Sequence, residues 1–243
     1  LDELEIPRPC IDMEWVGYNV EWSQELRISQ SLEEYVKAWM ALTILGDWEP
    51  LRPVIGTPGP HLFDMSVGYD LAGIQSKAMA GFISGLLDAG TVIDRLRPEI
   101  PEPFAVWREA EVSPPVGGSA GEAGRGAFPA RIIGGVTLST FHGCPSDEIE
   151  AIARHLMTEY GLDVVVKLNP TLLGIDAVRS ILHRLGHDGV VLDPDAFAAD
   201  LQYGRALEMI RSLHQFAATQ GRTLGIKLTN TLVVRNRRGR LPG

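Results

Sequence analysis

Apolar residues in the second half of the chain follow two alternating patterns, which are short continuous runs and longer stretches with helical spacing. The continuous runs occupy residues 132–140, 163–169, 189–193 and 224–230. Runs of this length that are apolar almost throughout predict strands buried on both faces of a parallel sheet. The stretches in which apolar residues recur every three or four positions are 145–161, 176–185 and 203–220. Strands that alternate with helices predict an α/β fold.

The first half of the chain is less regular. Its predicted elements are a short strand or extended loop at 16–22, a helix at 31–46, a buried strand at 61–68 and a helix at 74–88. Ser31 and Glu34 form a capping-box pattern at the predicted start of the first helix, and Gly46 follows its last apolar turn.

Residues 98–131 differ in composition from the rest of the chain. Five prolines between Pro98 and Pro115 lead into a glycine-rich segment at 117–126. Such a stretch buries too little apolar surface to offset the entropy of ordering it. We therefore expect a long surface insertion with a flexible tip, within one domain that spans residues 1–243, rather than a boundary between two domains.

Polar residues end each predicted strand of the second half. They are Ser139 and Thr140, Lys167 and Asn169, Asp193, and Lys227, Thr229 and Asn230. In a (β/α)8 TIM barrel the carboxyl ends of the strands surround the mouth of the active site. The sequence has no GxGxxG motif after a strand, no Walker A sequence and no GxSxG elbow. An open doubly wound sheet fits the same alternation of strands and helices, but the polar strand ends favour the barrel. We predict an incomplete barrel, because the chain supplies about five or six strands where eight are needed.

Composition excludes several classes of function. The 243 residues carry a net charge of −9 with basic residues clustered only at 235–240, which argues against nucleic acid or an anionic membrane as a partner. No apolar run is long enough to span a membrane, so we expect a cytoplasmic protein. Cys10 and Cys144 are too few for a zinc site or an iron–sulfur cluster held by this chain alone. The chain begins without Met and ends on a basic tail, so we expect a piece of a longer protein.

Lys167 and Lys227 are the most informative residues, because each lies late in an apolar strand. Burying a lysine there is costly unless it meets an anion or loses its proton. The ammonium group can stabilise negative charge on a reduced flavin or a bound oxyanion, whereas a neutral amine can form a Schiff base. The alternative is a structural role, in which the side chain reaches solvent or pairs with a neighbour such as Asp193.

Other residues near the strand ends offer hydrogen bonds or protons. Asn169, Asn230 and Thr231 are suited to the edge of a planar heterocycle, although capping of free backbone groups also explains them. The loop between strand and helix contains His142 and Cys144, and either is a candidate proton donor. A buried thiol within a tight turn explains Cys144 equally well.

Four segments together resemble a known family. They are Met65–Leu71, Leu138–Pro145, Val166–Thr171 and Ile226–Thr231. The combination is similar to the flavoprotein subunit predicted for molybdenum-dependent selenate reductases, a family related to dihydropyrimidine and dihydroorotate dehydrogenases. The resemblance implies an FMN-type (β/α)8 barrel, of which this chain is the central part. In longer proteins such a barrel lies beside iron–sulfur and FAD- or NAD(P)-binding modules.

The resemblance also implies roles for individual residues. Lys167 resembles the strand-end lysine that contacts flavin in the dehydrogenases, and Asn230 and Thr231 resemble the Asn-Thr pair that meets the pyrimidine. The loop with His142 and Cys144 resembles the one that carries their proton donor. The remaining candidates at the same strand ends are Ser139, Thr140 and Lys227 for flavin and Asn169 for substrate.

The sequence therefore predicts an oxidoreductase, namely the flavin-dependent barrel domain of a multi-domain electron-transfer protein with a small-molecule substrate. Its expected cofactor is FMN, with FAD, NAD(P) and 4Fe–4S clusters expected only in the longer parent protein. Two alternatives stay open. One is a non-catalytic barrel that docks iron–sulfur and FAD modules, and the other is a Schiff-base lyase or aldolase that uses Lys167 or Lys227.

Overall fold

The computed structural model describes residues 27–51, 53, 63–113, 126–139, 144–228 and 232–235. The chain divides into two compact units. Unit 1 comprises Leu1–Met65 and Gln75–Gly134, and unit 2 comprises Ser66–Ile74 and Gly135–Gly243. The predicted strand or loop at 16–22 lies outside the described residues. Within the described ranges, no helix has the length and apolar character needed to cross a bilayer.

Helices and strands alternate over most of the described chain. In chain order they are α1 (Ile28–Asp47), β1 (Asp64–Val67), α2 (Leu71–Ile74), α3 (Lys77–Leu87), α4 (Gly90–Leu96), β2 (Glu111–Ser113), β3 (Ala127–Pro129), β4 (Gly135–Ser139), α5 (Ser146–Tyr160), β5 (Asp163–Leu168), α6 (Ile175–Arg184), α7 (Pro194–Ala199), α8 (Tyr203–Thr219) and β6 (Leu224–Leu228). The 3₁₀ turns are Glu49–Leu51, Arg97–Glu99, Glu102–Glu109 and Pro170–Leu173.

The core of unit 1 forms where α1 packs on α3 and α4. Apolar residues at helical spacing bury one face of each helix, with Trp39 and Ile83 almost fully enclosed. The indole N–H of Trp39 donates to the carbonyl oxygen of Pro129 at 3.1 Å, which ties α1 to β3. A buried indole thus has its one polar group satisfied.

The first helix begins earlier than its capping-box pattern indicates. α1 starts at Ile28, and the backbone N–H of Arg27 donates to Oε1 of Gln30 at 2.9 Å. Ser31 therefore lies inside the helix, where its buried hydroxyl has no hydrogen-bond partner among the described residues. The prediction that Ser31 caps this helix is wrong.

Both ends of the proline- and glycine-rich stretch carry regular structure. β2 and β3 pair in parallel, from Glu111 opposite Ala127 to Ser113 opposite Pro129. Trp107 and Phe128 are buried, with their ring centroids 5.1 Å apart. The expectation that residues 98–131 bury little apolar surface is therefore wrong at both ends, and its glycine-rich middle at 114–125 lies outside the described residues.

Unit 2 is built on a parallel sheet. Strands β1, β4, β5 and β6 form a four-stranded sheet in that order, in which β4, β5 and β6 run parallel. Helices α5 and α8 pack on each other, α5 on β5 and α8 on β6. Val164, Val166 and Leu168 are buried on one face of β5, whereas the alternate positions are half-buried. This face of β5 is therefore covered, whereas its other face is not fully buried.

The predicted strand at 189–193 is wrong. In its place the described chain makes a turn at Asp188–Gly189 and a single antiparallel bridge between Leu192 and Val234. Leu192 is buried against Val178 and Phe197, which explains part of the apolar run without a sheet strand. The other strands and helices of the second half lie within a few residues of their predicted bounds.

Candidate functional site

Three of the predicted site residues lie side by side in the sheet. Residue pairing places Ser139 on β4 opposite Lys167 on β5, and Lys167 opposite Lys227 on β6. All three are at or next to the carboxyl ends of their strands. Because paired residues of parallel strands project to the same side, the three side chains share one face of the sheet. We call Ser139, Lys167 and Lys227 the strand-end row.

The strand-end row lies on the face of β5 opposite to its buried apolar side chains. Ser139 and Lys167 are half-buried and Lys227 is exposed. Val166, which precedes Lys167 and projects to the other side, is only 1% exposed. This alternation explains how an apolar strand holds a lysine at modest cost, because its neighbours fill the core while its ammonium group points away from it.

The alternative of a structural ion pair with Asp193 is wrong. Asp193 accepts a hydrogen bond from Nη2 of Arg235 at 2.9 Å and another from the backbone N–H of Asp195 at 3.1 Å. Arg235 lowers the pKa of this carboxyl, which also caps the start of α7. Within the described residues, neither Lys167 nor Lys227 is paired with a carboxylate.

A buried carboxylate anchors the chain just beyond β5. Asp200 is 5% exposed, and its Oδ2 accepts a hydrogen bond from Oγ1 of Thr171 at 2.7 Å and another from Nδ2 of Asn169 at 3.3 Å. Gln202 fixes the backbone of this turn by donating from Nε2 to the carbonyl oxygens of Phe197 and Asp200. Asn169 is therefore held in place by a residue 31 positions later in the chain.

Asp200 is a site residue that its sequence context does not indicate. Thr171 belongs to a segment that resembles the flavoprotein family, but no role follows from that resemblance. Asp200 lies at the end of α7, and no spacing in the sequence links it to β5. The burial of Asp200 marks it as important, because an aspartate is rarely enclosed without hydrogen-bond partners. The sequence does not show this burial, because Asp200 lies in a segment without a regular apolar pattern.

Cys144 and Asn169 line one small cavity with Thr171 and Asp200. Its volume of about 10 Å³ corresponds to roughly one water molecule. Cys144 is 5% exposed, and burial raises the pKa of its thiol to about 11, with further contributions from Glu148 and Asp70. The thiol is therefore protonated at neutral pH, which suits a proton donor and also an inert core residue, but not a nucleophile.

Residues that follow β1 lie at the same end of the sheet. Asp70 begins α2, because its Oδ1 accepts the backbone N–H of Gly73 at 2.7 Å. Oε1 of Glu148, in the first turn of α5, accepts the backbone N–H of Leu71 at 3.2 Å. Gly68 leaves room for β4, since a Cβ there would lie 3.3 Å from the carbonyl oxygen of Ser139. These contacts fix the carboxyl ends of β1 and β4 next to each other.

Four predicted site residues lie outside the described residues, and their positions relative to the row are not assigned. They are Thr140, His142, Asn230 and Thr231. The described chain thus brings together Ser139, Lys167 and Lys227 in one row and places Cys144 and Asn169 at one cavity. No group of three or more potential metal-ligating side chains occurs in the described ranges.

Comparison with known proteins identifies the family. The family described as "Oxidoreductase YgfK, N-terminal TIM-barrel domain" matches residues 1–243. The chain belongs to this YgfK N-terminal domain family. It is 41% identical over 256 residues to "Putative oxidoreductase YgfK" of Escherichia coli strain K12, and the same values hold for the protein of that name from Escherichia coli O157:H7. In both cases all of this chain is covered but only 24% of the relative. No solved structure matches.

Membership of the YgfK N-terminal domain family confirms the predicted TIM-barrel fold class. The four strands of the described sheet are half of the eight in a closed barrel. In a closed barrel helices surround the sheet, so the buried face of β5 would be the outside and the strand-end row would face the interior. The row then lies at the end of the barrel at which TIM-barrel enzymes carry their active sites.

Proposed function

We propose that this chain is the FMN-binding barrel domain of an oxidoreductase. The observation that carries the proposal is the register of the sheet, which aligns Ser139, Lys167 and Lys227 on one face at the carboxyl end of three adjacent strands. The name of the family, an oxidoreductase, supports the reaction class. The resemblance of the strand-end segments to flavin-dependent dehydrogenases supports the cofactor.

The chemistry of the strand-end row fits a flavin. A bound flavin would supply hydride transfer. Lys167 would hold its ammonium group against the ring region that becomes negative on reduction, an interaction that is stronger in a site without water. The Ser139 hydroxyl offers a hydrogen-bond donor at the next position in the row. No carboxylate of the described residues neutralises the lysine side chain, so its charge is free to act on a ligand.

Residues at the adjoining cavity fit the handling of a substrate. The amide of Asn169, fixed by Asp200, can both donate to and accept from a planar heterocycle. Cys144 carries the proton that a donor needs at neutral pH, since burial raises its pKa to about 11. We assign to Asn169 the orientation of the substrate and to Cys144 or His142 the transfer of a proton. Thr140 and Lys227 complete the proposed flavin contacts, and Asn230 and Thr231 the proposed substrate contacts.

The complete natural protein would then be a multi-domain electron-transfer enzyme. The chain spans about a quarter of the length of its curated relatives, which leaves room for the FAD, NAD(P) and 4Fe–4S modules that the resemblance implies. We propose a cytoplasmic enzyme related in chemistry to dihydropyrimidine dehydrogenase or to the flavoprotein subunit of selenate reductases. Electrons would pass between this barrel and those modules.

The decisive experiment measures which flavins the complete natural protein holds. The protein is denatured, and the released FMN and FAD are quantified separately by mass spectrometry, because an FAD module elsewhere would obscure a simple absorption spectrum. We expect about one FMN per chain, and a loss of FMN but not of FAD in Lys167→Met. Lys77→Met is the control, since Lys77 is an exposed lysine at the start of α3.

Two results would overturn the proposal. A protein without FMN, even after incubation with excess FMN, would favour a barrel that only docks other modules. Borohydride reduction with a panel of carbonyl compounds tests the remaining alternative, because a Schiff base on Lys167 or Lys227 would be trapped as a stable mass increase on that residue. We expect neither lysine to gain mass.

A further inference from the structure

Lysine is scarce in this chain, and half of its lysines lie in the strand-end row. The 243 residues contain four lysines and 18 arginines. Two of the four, Lys167 and Lys227, occupy paired positions on neighbouring strands. Arginine forms planar two-point hydrogen bonds, whereas lysine places a compact charge at the end of a flexible chain. A chain that uses arginine almost everywhere else carries two ammonium groups side by side on this face.

The pairing of these lysines is unfavourable without a bound anion. Neighbouring strands lie about 4.8 Å apart, and like charges directly opposite each other destabilise a sheet. The acidic residue that the described strands β4, β5 and β6 contain is Asp163, four positions before Lys167 and so about 13 Å from it along the strand. Asp163 is also engaged, because its Oδ1 accepts the backbone N–H of Thr223 at 2.7 Å.

Other carboxylates in the described part of unit 2 have partners of their own, and among them Asp70 accepts the backbone N–H of Gly73. Asp193 is bound by Arg235, and Asp200 accepts hydrogen bonds from Thr171 and Asn169. Glu148 accepts the backbone N–H of Leu71. Among the described residues, no carboxylate forms an ion pair with either ammonium group of the row.

We infer that Lys167 and Lys227, with the hydroxyl of Ser139, bind the oxyanion group of a ligand. Two ammonium groups and one hydroxyl on a single face can donate hydrogen bonds to the oxygens of a carboxylate or a phosphate. Lys227 thereby acquires a role of its own, which is to select a ligand that carries a negative group at neutral pH. This oxyanion site rests on the proposed function for the location of the ligand. The oxyanion is either a carboxylate of the substrate or the phosphate of the flavin.

Protection of the lysines from acetylation tests this inference. The complete natural protein, with and without FMN, is treated briefly with an acetylating reagent, and acetylation of each lysine is measured by peptide mass spectrometry. Inorganic phosphate and acetate are the probes, added at constant ionic strength against sodium chloride. We expect phosphate or acetate to slow the acetylation of Lys167 and Lys227 at least threefold and to leave Lys77 unchanged.

Variants of Lys227 distinguish binding from simple shielding. Lys227→Gln should abolish the protection of Lys167, because one ammonium group is lost, whereas Lys227→Arg should preserve it. Equal acetylation with and without both probes would overturn the inference, as would protection of Lys167 that persists in Lys227→Gln.

The FMN content of the same samples separates this inference from the proposed function. If the protein holds FMN but neither probe protects the lysines in the FMN-loaded or in the FMN-free protein, the oxyanion site alone is overturned. Protection in a protein that never holds FMN upholds the oxyanion site and overturns the flavin. Protection by acetate in the FMN-loaded protein assigns the site to a substrate carboxylate. Protection by phosphate that occurs only without FMN assigns it to the flavin phosphate.

Discussion

Asp200 shows how much one buried residue organises in this site. Enclosing a carboxylate is costly unless hydrogen bonds replace the water it loses. Here the hydroxyl of Thr171 and the amide of Asn169 donate to the same oxygen. The carboxylate thus fixes two residues directly after β5, and the position of Asn169 depends on it.

Replacing Thr171 by Val tests the strength of this anchor. The substitution keeps the shape of the side chain but removes the donor at 2.7 Å from Asp200. We expect a loss of about 1–3 kcal/mol in the free energy of unfolding, because a buried acceptor loses a partner. Urea denaturation of the chain measures it. Thr219→Val is the control, since that exposed hydroxyl donates to the carbonyl oxygen of Phe216 and accepts a long hydrogen bond of 3.5 Å from Nε2 of Gln220, with no buried carboxylate involved. Equal losses in the two variants would contradict the anchor.

Cys144 should make both the stability of the chain and its rate of alkylation depend on pH. Burial raises the pKa of its thiol from 9.0 to about 11, so the native state keeps its proton after the unfolded chain has lost it. The stability contributed by the neutral thiol is therefore complete below about pH 9 and is lost as the pH rises to about 11. Over the same range the rate of alkylation by iodoacetamide should increase steadily.

Alkylation is measured in a Cys10→Ser background, so that Cys144 is the thiol that reacts. Below pH 9 we expect the native chain to react at least about tenfold more slowly than the same chain in urea, because only the thiolate attacks. A native rate that levels off below pH 10 would show an unshifted thiol. The Cys144→Ala variant should lose the additional decrease in stability at high pH.

Helices and strands were predicted correctly where residues at their boundaries favour a start or an end. Pro145, Asp147 and Glu148 predicted the start of α5, and Gly161 predicted its end. The run at 189–193 has strand composition, but within the described residues it makes a single bridge, between Leu192 and Val234, and it follows a turn at Asp188–Gly189. An apolar run becomes a sheet strand only if a partner strand lies beside it, and the composition of the run gives no information on that partner.

The strand-end residues of the candidate site were predictable from the sequence, but the contacts between distant segments were not. The sequence placed Lys167 and Lys227 late in separate strands, but their common row follows from the register of β5 against β6. Asp200 could not be found, because its hydrogen-bond partners lie 29 and 31 positions earlier in the chain. Local periodicity predicts an element and one face of it, whereas contacts between distant segments arise only in the folded chain.

Gly161 ends α5 in a left-handed backbone conformation. Its φ of 59° lies in the left-handed region, where a side chain is strained, so Gly161→Ala should cost about 1 kcal/mol. Nothing lies within 4 Å of the added Cβ, so the cost arises from the backbone alone. Gly204→Ala, in the first turn of α8 with equally open space, should cost nothing. Thermal unfolding compares the two variants, and an equal effect would exclude the backbone explanation.

At the scale of the whole molecule, the two faces of β6 differ from those of β5. Leu168 and Leu228 are paired across the strands and project to the same side, yet Leu168 is 4% exposed and Leu228 is 74% exposed. Ile226 on the same side is 42% exposed. In a closed TIM barrel helices cover the outer face of every strand. The outer face of β6 is therefore the part of the described sheet that differs most from a closed barrel.

Leu168→Ala and Leu228→Ala form a matched pair that tests closure. In the 243-residue chain, Leu168→Ala should cost about 2–5 kcal/mol of unfolding free energy and Leu228→Ala less than about 0.5 kcal/mol, because only the first removes a buried side chain. In the complete natural protein a closed barrel would bury Leu228, and Leu228→Ala should then lower the hydrogen-exchange protection of the β6 amides as Leu168→Ala does for β5. Unchanged protection of β6 would mean that its outer face stays open, and the interior face with Lys227 would then belong to an open sheet rather than to a closed barrel.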